Sequence, residues 1–321
     1  MTGRVRTGLM FGALALVWGT QYLVIRSTEA DLGAWRSVAC RFAVVAALGQ
    51  LAVGVQGTRA PRGTLGARVA MGVTQALSMG LLYEGTARLP SSVVSVLMST
   101  TPLFVVVIAR LWLAERLAVR SVVATLLGML GVAGLSRAEW GATVPSIGVG
   151  LVVAAALASA ISKSIGKAIA LLPLSILIRD LGCVVALSAG VASLVLEREE
   201  PWRVTGAGVA GALYLGVVAS TAANLLYFAI LRETQVSRLS YLQLVSASVG
   251  LVAGVVLGGE QVSMPVLGGA ALVLAGAVVH GTSAHGPSVS EQRRPQAVFD
   301  RVGADPNTED RARESGATAE R

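Results

Sequence analysis

Charged residues are scarce: Asp, Glu, Lys and Arg make up 14% of the 321 residues, where soluble domains carry about 25%. With 54% hydrophobic residues and a mean hydropathy of +0.70, that shortage excludes a soluble globular domain and indicates a polytopic membrane protein. Lysine is nearly absent, with Lys163 and Lys167 alone, so arginine carries almost all of the formal charge of +8. Arginines gathered at the cytoplasmic ends of membrane spans explain that charge without nucleic acid as a partner. Cysteine and histidine number two each. Cys40 and Cys183 fall inside apolar runs, while His280 and His285 lie at the end of the last run and in the tail. This excludes a disulfide framework and leaves no metal-ligand cluster. No glycine-rich phosphate loop ending in Lys and Ser or Thr is present either, so the chain has no ATP site of that kind. No metal or other cofactor is expected.

What the sequence has in quantity is long uncharged stretches. Residues 89–109 hold no charged side chain, enough to cross a hydrocarbon core of about 30 Å as a helix. Charge-poor runs between short polar breaks predict ten helices, at 7–25, 34–55, 66–87, 91–113, 118–136, 146–169, 172–196, 204–231, 239–258 and 264–282. Short breaks make consecutive helices antiparallel neighbours. The first run, behind Arg4 and Arg6, is read as an uncleaved first helix because many spans follow it. From His285 on, six arginines face seven acids in a polar stretch with few large apolar residues, the composition of a disordered tail.

The chain also repeats itself. Leu81, Leu82 and Tyr83 match Leu225, Leu226 and Tyr227 at an offset of 144, which sets Gly72 against Gly216 and Arg88 against Arg232. Glu115 meets Glu260 at an offset of 145, and Trp18, Tyr22 and Arg26 stand opposite Ser159, Lys163 and Lys167 at 141. Five helices per copy is an odd number, so the second copy enters the bilayer upside down. Inverted repeats place a substrate site near the midplane, between the copies. The expected fold is therefore all-α: ten transmembrane helices in two inverted five-helix repeats, residues 1–139 and 140–284, then a disordered cytoplasmic tail at 285–321. The distribution of arginines places both termini in the cytoplasm.

Three segments carry a family resemblance: LVWGTQYLVIRS with CRFAVVAAL, the run ending PLFVVVIARLWLAERL, and LYLGVVASTAANLLYFAILRE leading to GGEQVS. Together they resemble the EamA branch of the drug/metabolite transporter superfamily. Trp18, Gly19, Arg41, Phe42, Pro102, Glu115 and Arg116 match its pattern, and the likeness covers residues 7–282. It implies ten helices in two inverted halves and transport of small metabolites such as amino acids, often outward, across a bacterial plasma membrane. The chain departs from the pattern at Ala247, where the second half commonly has a proline, and at Gln261, opposite Arg116.

Candidate substrate-binding residues are the polar and aromatic side chains inside the spans: Trp18, Tyr22, Ser99, Thr100, Lys163, Asp180, Tyr214, Asn224 and Gln243. Trp18 and Tyr214 lie deep enough to stack on a substrate, whereas Tyr83 and Tyr227 read as interface-belt aromatics. Lys163 and Asp180 are matched in depth and are expected to pair or to line the path jointly, against a reading in which Lys163 snorkels and Asp180 pairs with an arginine. Arg41 reads as a snorkelling cation, and Glu84 with Arg88 as a local ion pair. Pro102 is expected to kink helix 91–113, its freed backbone served by Ser99 or neighbouring hydroxyls. Glu115 and Glu260 are assigned structural roles at helix ends. The expected partners are a small-molecule metabolite and the bilayer, with proton coupling and homodimerisation left open. Two rivals stand against a transporter. An intramembrane enzyme would need a buried histidine pair or carboxylate dyad, and a passive channel a charged ring or filter motif; the sequence displays neither.

Overall fold

The computed structural model describes residues 3–89, 94, 97, 98, 100–113, 123, 126, 127, 130, 146–199, 203–239, 242–246, 248 and 249. Its helices are α1 (Gly3–Leu32), α2 (Ala34–Gln56), α3 (Leu65–Thr86), α4 (Thr101–Trp112), α5 (Ser146–Ala168), α6 (Leu174–Leu196), α7 (Gly206–Glu233) and the single turn α8 (Val236–Leu239). Among the described residues there is no strand. Helices α2, α3, α5, α6 and α7 are long and apolar enough to cross a membrane, while α1 and α4 supply the shorter apolar stretches Gly8–Gln21 and Thr101–Trp112. Large apolar side chains face outward from the bundle, among them Val55, Leu111 and Leu194 at 80%, 73% and 74% exposure. Such a surface suits lipid and not water, so the chain is a multi-pass membrane protein.

The ends of α2, α3, α5, α6 and α7 fall within two residues of the expected positions. Their signals are local. Gly57 ends α2 in a left-handed conformation at φ 60, Pro173 precedes α6, and the Thr205 side chain caps α7 by accepting from the Gly208 amide at 2.9 Å. Helix α1 instead overruns its expected end at residue 25 and stops at Leu32, before Gly33 at φ 83. The acids in that extension find partners: Glu29 accepts from the Thr86 hydroxyl at 3.1 Å, and Asp31 from the Thr205 hydroxyl.

Helix 91–113 also needs correction. Helix α4 begins at Thr101, with Pro102 in its first turn, where a missing amide costs nothing because that donor has no intrahelical acceptor. Pro102 therefore opens a helix and does not kink the interior of one. A turn precedes it, closed by the Thr100 amide on the Leu97 carbonyl at 3.1 Å and by the Thr100 hydroxyl on the same oxygen at 2.6 Å. Expected helix 264–282 and the tail lie outside the described residues, as do most of 118–136 and of 239–258.

Helix α2 packs most extensively on α6, and α3 on α5 and then α6. The α2–α6 crossing brings backbones together. A Cβ on Gly49 would stand 2.5 Å from the Arg179 Cα, and one on Gly182 would stand 2.4 Å from the Ala46 amide nitrogen. Gly72 and Gly216, matched across the repeat, make reciprocal contacts. Their Cβ positions fall 2.5 Å from the Val184 Cβ on α6 and 2.6 Å from the Val44 Cβ on α2.

Polar belts join the helices at both ends of the bundle. At one end Glu197, after α6, accepts the Trp35 and Arg36 amides of α2 at 2.7 and 2.9 Å, beside the Asp31–Thr205 and Glu29–Thr86 bonds. At the other, Asp180 of α6 pairs with Arg68 of α3, and Lys167 of α5 donates to the Leu231 and Thr234 carbonyls, each at 2.7 Å. Thr58 and Ser175 share a hydrogen bond of 3.1 Å there as well.

Candidate functional site

Between the two belts α1, α2, α3, α5, α6 and α7 surround a cavity of about 820 Å³, open solvent at its mouth included. On α1 it is lined by Trp18, Gln21 and Ile25, whose spacing of three and four residues puts them on one helix face. The 141-residue offset carries these to Ser159, Ser162 and Gly166 of α5, and all three line the cavity too. Gln75 maps onto Ala219 at 144 and Met98 onto Gln243 at 145; again all four positions line it. Positions matched by the sequence offsets thus line one space. The matched residues differ in chemistry, Lys163 standing at the offset of 141 from Tyr22.

Arg41 is the hub of the polar wall. It is 3% exposed and donates from Nε to Ser220 Oγ at 2.6 Å and from Nη2 to Gln21 Oε1 at 2.8 Å. Longer bonds reach the Ala219 carbonyl at 3.3 Å and the Tyr83 hydroxyl at 3.4 Å. The planar fork thereby joins α2 to α1, α3 and α7, a geometry that a lysine cannot copy. The α7 partners lie in a π-helical stretch, Leu215–Ala222, whose wider turns are found at functional sites because they displace backbone groups from the regular ladder. There the Ala219 carbonyl accepts both Arg41 and the Trp18 indole N–H, each at 3.3 Å.

Trp18 links this hub to a second cation. Lys163 Nζ stands 6.0 Å from the Trp18 ring centroid and donates to Gln243 Oε1 at 3.3 Å. The Trp18 ring in turn lies 5.6 Å from Tyr227, which meets Phe228 edge-on at 5.7 Å. Met71, Met79 and Met98 complete the apolar wall, with adaptable thioether side chains. The described lining contains the two cations Arg41 and Lys163, the amides Gln21, Gln75, Asn224 and Gln243, and no carboxylate.

Of the candidates read from the sequence, Trp18, Lys163, Asn224 and Gln243 come together here. Tyr214 is half-buried against the core and Thr100 closes the turn before α4; neither lines the cavity. Ser99, Glu115, Glu260 and the Tyr22 side chain lie outside the described residues. The expected Lys163–Asp180 pair does not form. Asp180 turns to α3 and is held by Arg68 and by Arg179 Nε at 2.6 Å, while Lys163 turns to the cavity and does not snorkel. Arg41 does not snorkel either. Tyr83 and Tyr227, expected in an interface belt, are 0% and 5% exposed. The Glu84–Arg88 ion pair is present. Sequence reading left Gln21, Gln75 and Ser162 out of the candidate site, although the repeat offset applied to the helical face of Trp18 would have reached Ser162.

Residues 6–137 match the model of the EamA-like transporter family. An uncharacterized transporter of Archaeoglobus fulgidus is 27% identical to this chain over 201 residues, which cover 61% of this chain and 69% of that one. A solved structure known only as the crystal structure of a protein superposes with a TM-score of 0.74, covering 87% of this chain and 98% of its own at 19% identity. That last likeness is one of fold alone. Over residues 6–137, and by its likeness to the transporter relative, the chain is similar to EamA-like transporters.

Proposed function

We propose that this protein is a secondary transporter of a bacterial plasma membrane that exports small metabolites by alternating access, with both termini in the cytoplasm. One observation carries the reading: the cavity is lined by repeat-related positions, Trp18 with Ser159, Gln21 with Ser162, Gln75 with Ala219 and Met98 with Gln243. An inverted repeat puts a substrate site where its two halves meet. The reciprocal contacts of Gly72 and Gly216 support the same symmetry. In this account access alternates as one belt releases while the other holds. Opening at one end breaks the Arg68–Asp180 pair, and opening at the other frees the α2 amides from Glu197.

Exchange in proteoliposomes tests the reading. A screen of labelled carboxylates and amino acids is expected to find a solute whose efflux saturates and speeds up when unlabelled solute is supplied on the far side. Linear flux without that acceleration would mean a channel, and chemical conversion of the solute would mean an enzyme.

A further inference from the structure

We propose that the cavity selects a small amphipathic organic anion, whose carboxylate docks on Lys163 and whose apolar body lies along Trp18 and Tyr227; the inference rests on the transport reading above. The charge balance carries it. Two cations line the space with no described carboxylate beside them, because Asp180 is held away by Arg68 and Arg179. A cation deep in a bilayer protein needs a counter-charge, a set of acceptors or water.

The two cations differ in what they have left to offer. Arg41 has five donor hydrogens, and four bonds engage Ser220, Gln21, Ala219 and Tyr83. Its charge persists, but its geometry is spoken for by the protein. Lys163 has three donors, one of them on Gln243, and its ammonium faces the cavity over the Trp18 ring. One cation is therefore an anchor with donors to spare, and the other is a fixed source of positive field. This fits one anionic group better than two. It disfavours an amine, which would meet two like charges and no acid. A zwitterion is only half accommodated, because Gln21 and Gln243 already accept from Arg41 and Lys163. The apolar lining of Tyr227, Phe228 and methionines calls for an aromatic or branched apolar body.

Three labelled probes with one ring and different net charge test this on the full-length purified protein: phenylpyruvate, phenylalanine and phenethylamine. Phenylpyruvate is expected to bind at least about tenfold more tightly than the other two, the scale of one hydrogen bond to a charged group. Lys163→Met is expected to abolish that preference, and Lys163→Arg to keep it. If Lys163→Met does not fold, Lys163→Gln serves in its place. Equal binding of the three probes, stronger binding of the amine, no binding of phenylpyruvate, or an unchanged preference in Lys163→Met would overturn the inference. Exchange assays separate the two readings. Phenylpyruvate bound in the expected order without any exchanged solute leaves the anion site standing and defeats transport. Accelerated exchange of another solute, insensitive to Lys163→Met, leaves transport standing and defeats the anion site.

Discussion

Replacing Arg41 by lysine isolates the worth of its fork, because the charge and its desolvation cost are largely retained. Arg41 bonds to Gln21 on α1, Tyr83 on α3, and Ser220 and Ala219 on α7. A single ammonium reaches one of those three directions, so the variant loses about three contacts. Interhelical hydrogen bonds in membrane proteins average about 0.6 kcal/mol, which gives a loss of about 2 kcal/mol. For a helical body of this size, at about 2.1 cal/mol/K of unfolding entropy per residue, that corresponds to a fall in Tm of about 3 °C. Thermal unfolding of the purified protein in detergent measures it, and exchange at a temperature where both proteins are folded shows whether the cavity wall is intact. A lysine variant melting within about 1 °C of wild type would refute the hub, since a merely snorkelling Arg41 tolerates lysine.

Three further outcomes follow from the geometry. Glu29, beyond the expected first span, has its carboxyl pushed up from 4.5 to about 7, chiefly by burial, with the Thr86 hydrogen bond lowering it and Glu84 raising it. The folded state then holds more protons than the unfolded one between those values, so stability falls as pH rises through that window and levels off above it. Glu29→Gln should remove that part of the slope when Tm is compared from pH 5 to pH 8, and parallel curves would contradict the assignment. Glu197 receives two amides at the start of α2, where Gly33 gives no side-chain cap; Glu197→Ala should cost about 1–2 kcal/mol in denaturant or thermal unfolding. Gly182→Val forces a side chain onto the Ala46 backbone and should destabilise by about 1–3 kcal/mol or more, whereas Gly54→Ala on α2, with nothing within 4 Å, should not lower Tm, since alanine favours a helix over glycine.

What could be read from the sequence followed from how local the cause was. The apolar runs fixed five helices to within two residues because span length and the turn chemistry of Gly57 and Pro173 lie in the chain itself. Depth could be read too, since it is helical rise multiplied by count. Direction around the helix axis could not. Lys163 and Asp180 are at matched depths yet face different neighbours, one the cavity and the other Arg68. Arg41 looked like a snorkelling cation because its four acceptors come from three other helices, and two of the acceptors, Ala219 and Ser220, lie far along the chain in a π-helical stretch. Glu29 and Asp31 lie past the expected end of the first helix at residue 25 and proved to extend α1, through partners on α3 and before α7. Trp18, Asn224 and Gln243 were legible as cavity-lining candidates because large polar groups are rare in apolar runs; Gln75 and Ser162 were hidden by being ordinary.

Covalent labelling of the cavity tests most directly that transport passes through the space lined by Trp18 and Lys163. With Cys40 and Cys183 replaced by alanine, Gln75→Cys places one thiol on the lining. Maleimide modification of that thiol in proteoliposomes is expected to stop exchange, and the exchanged solute is expected to slow the modification. Full exchange by completely modified protein would contradict the account.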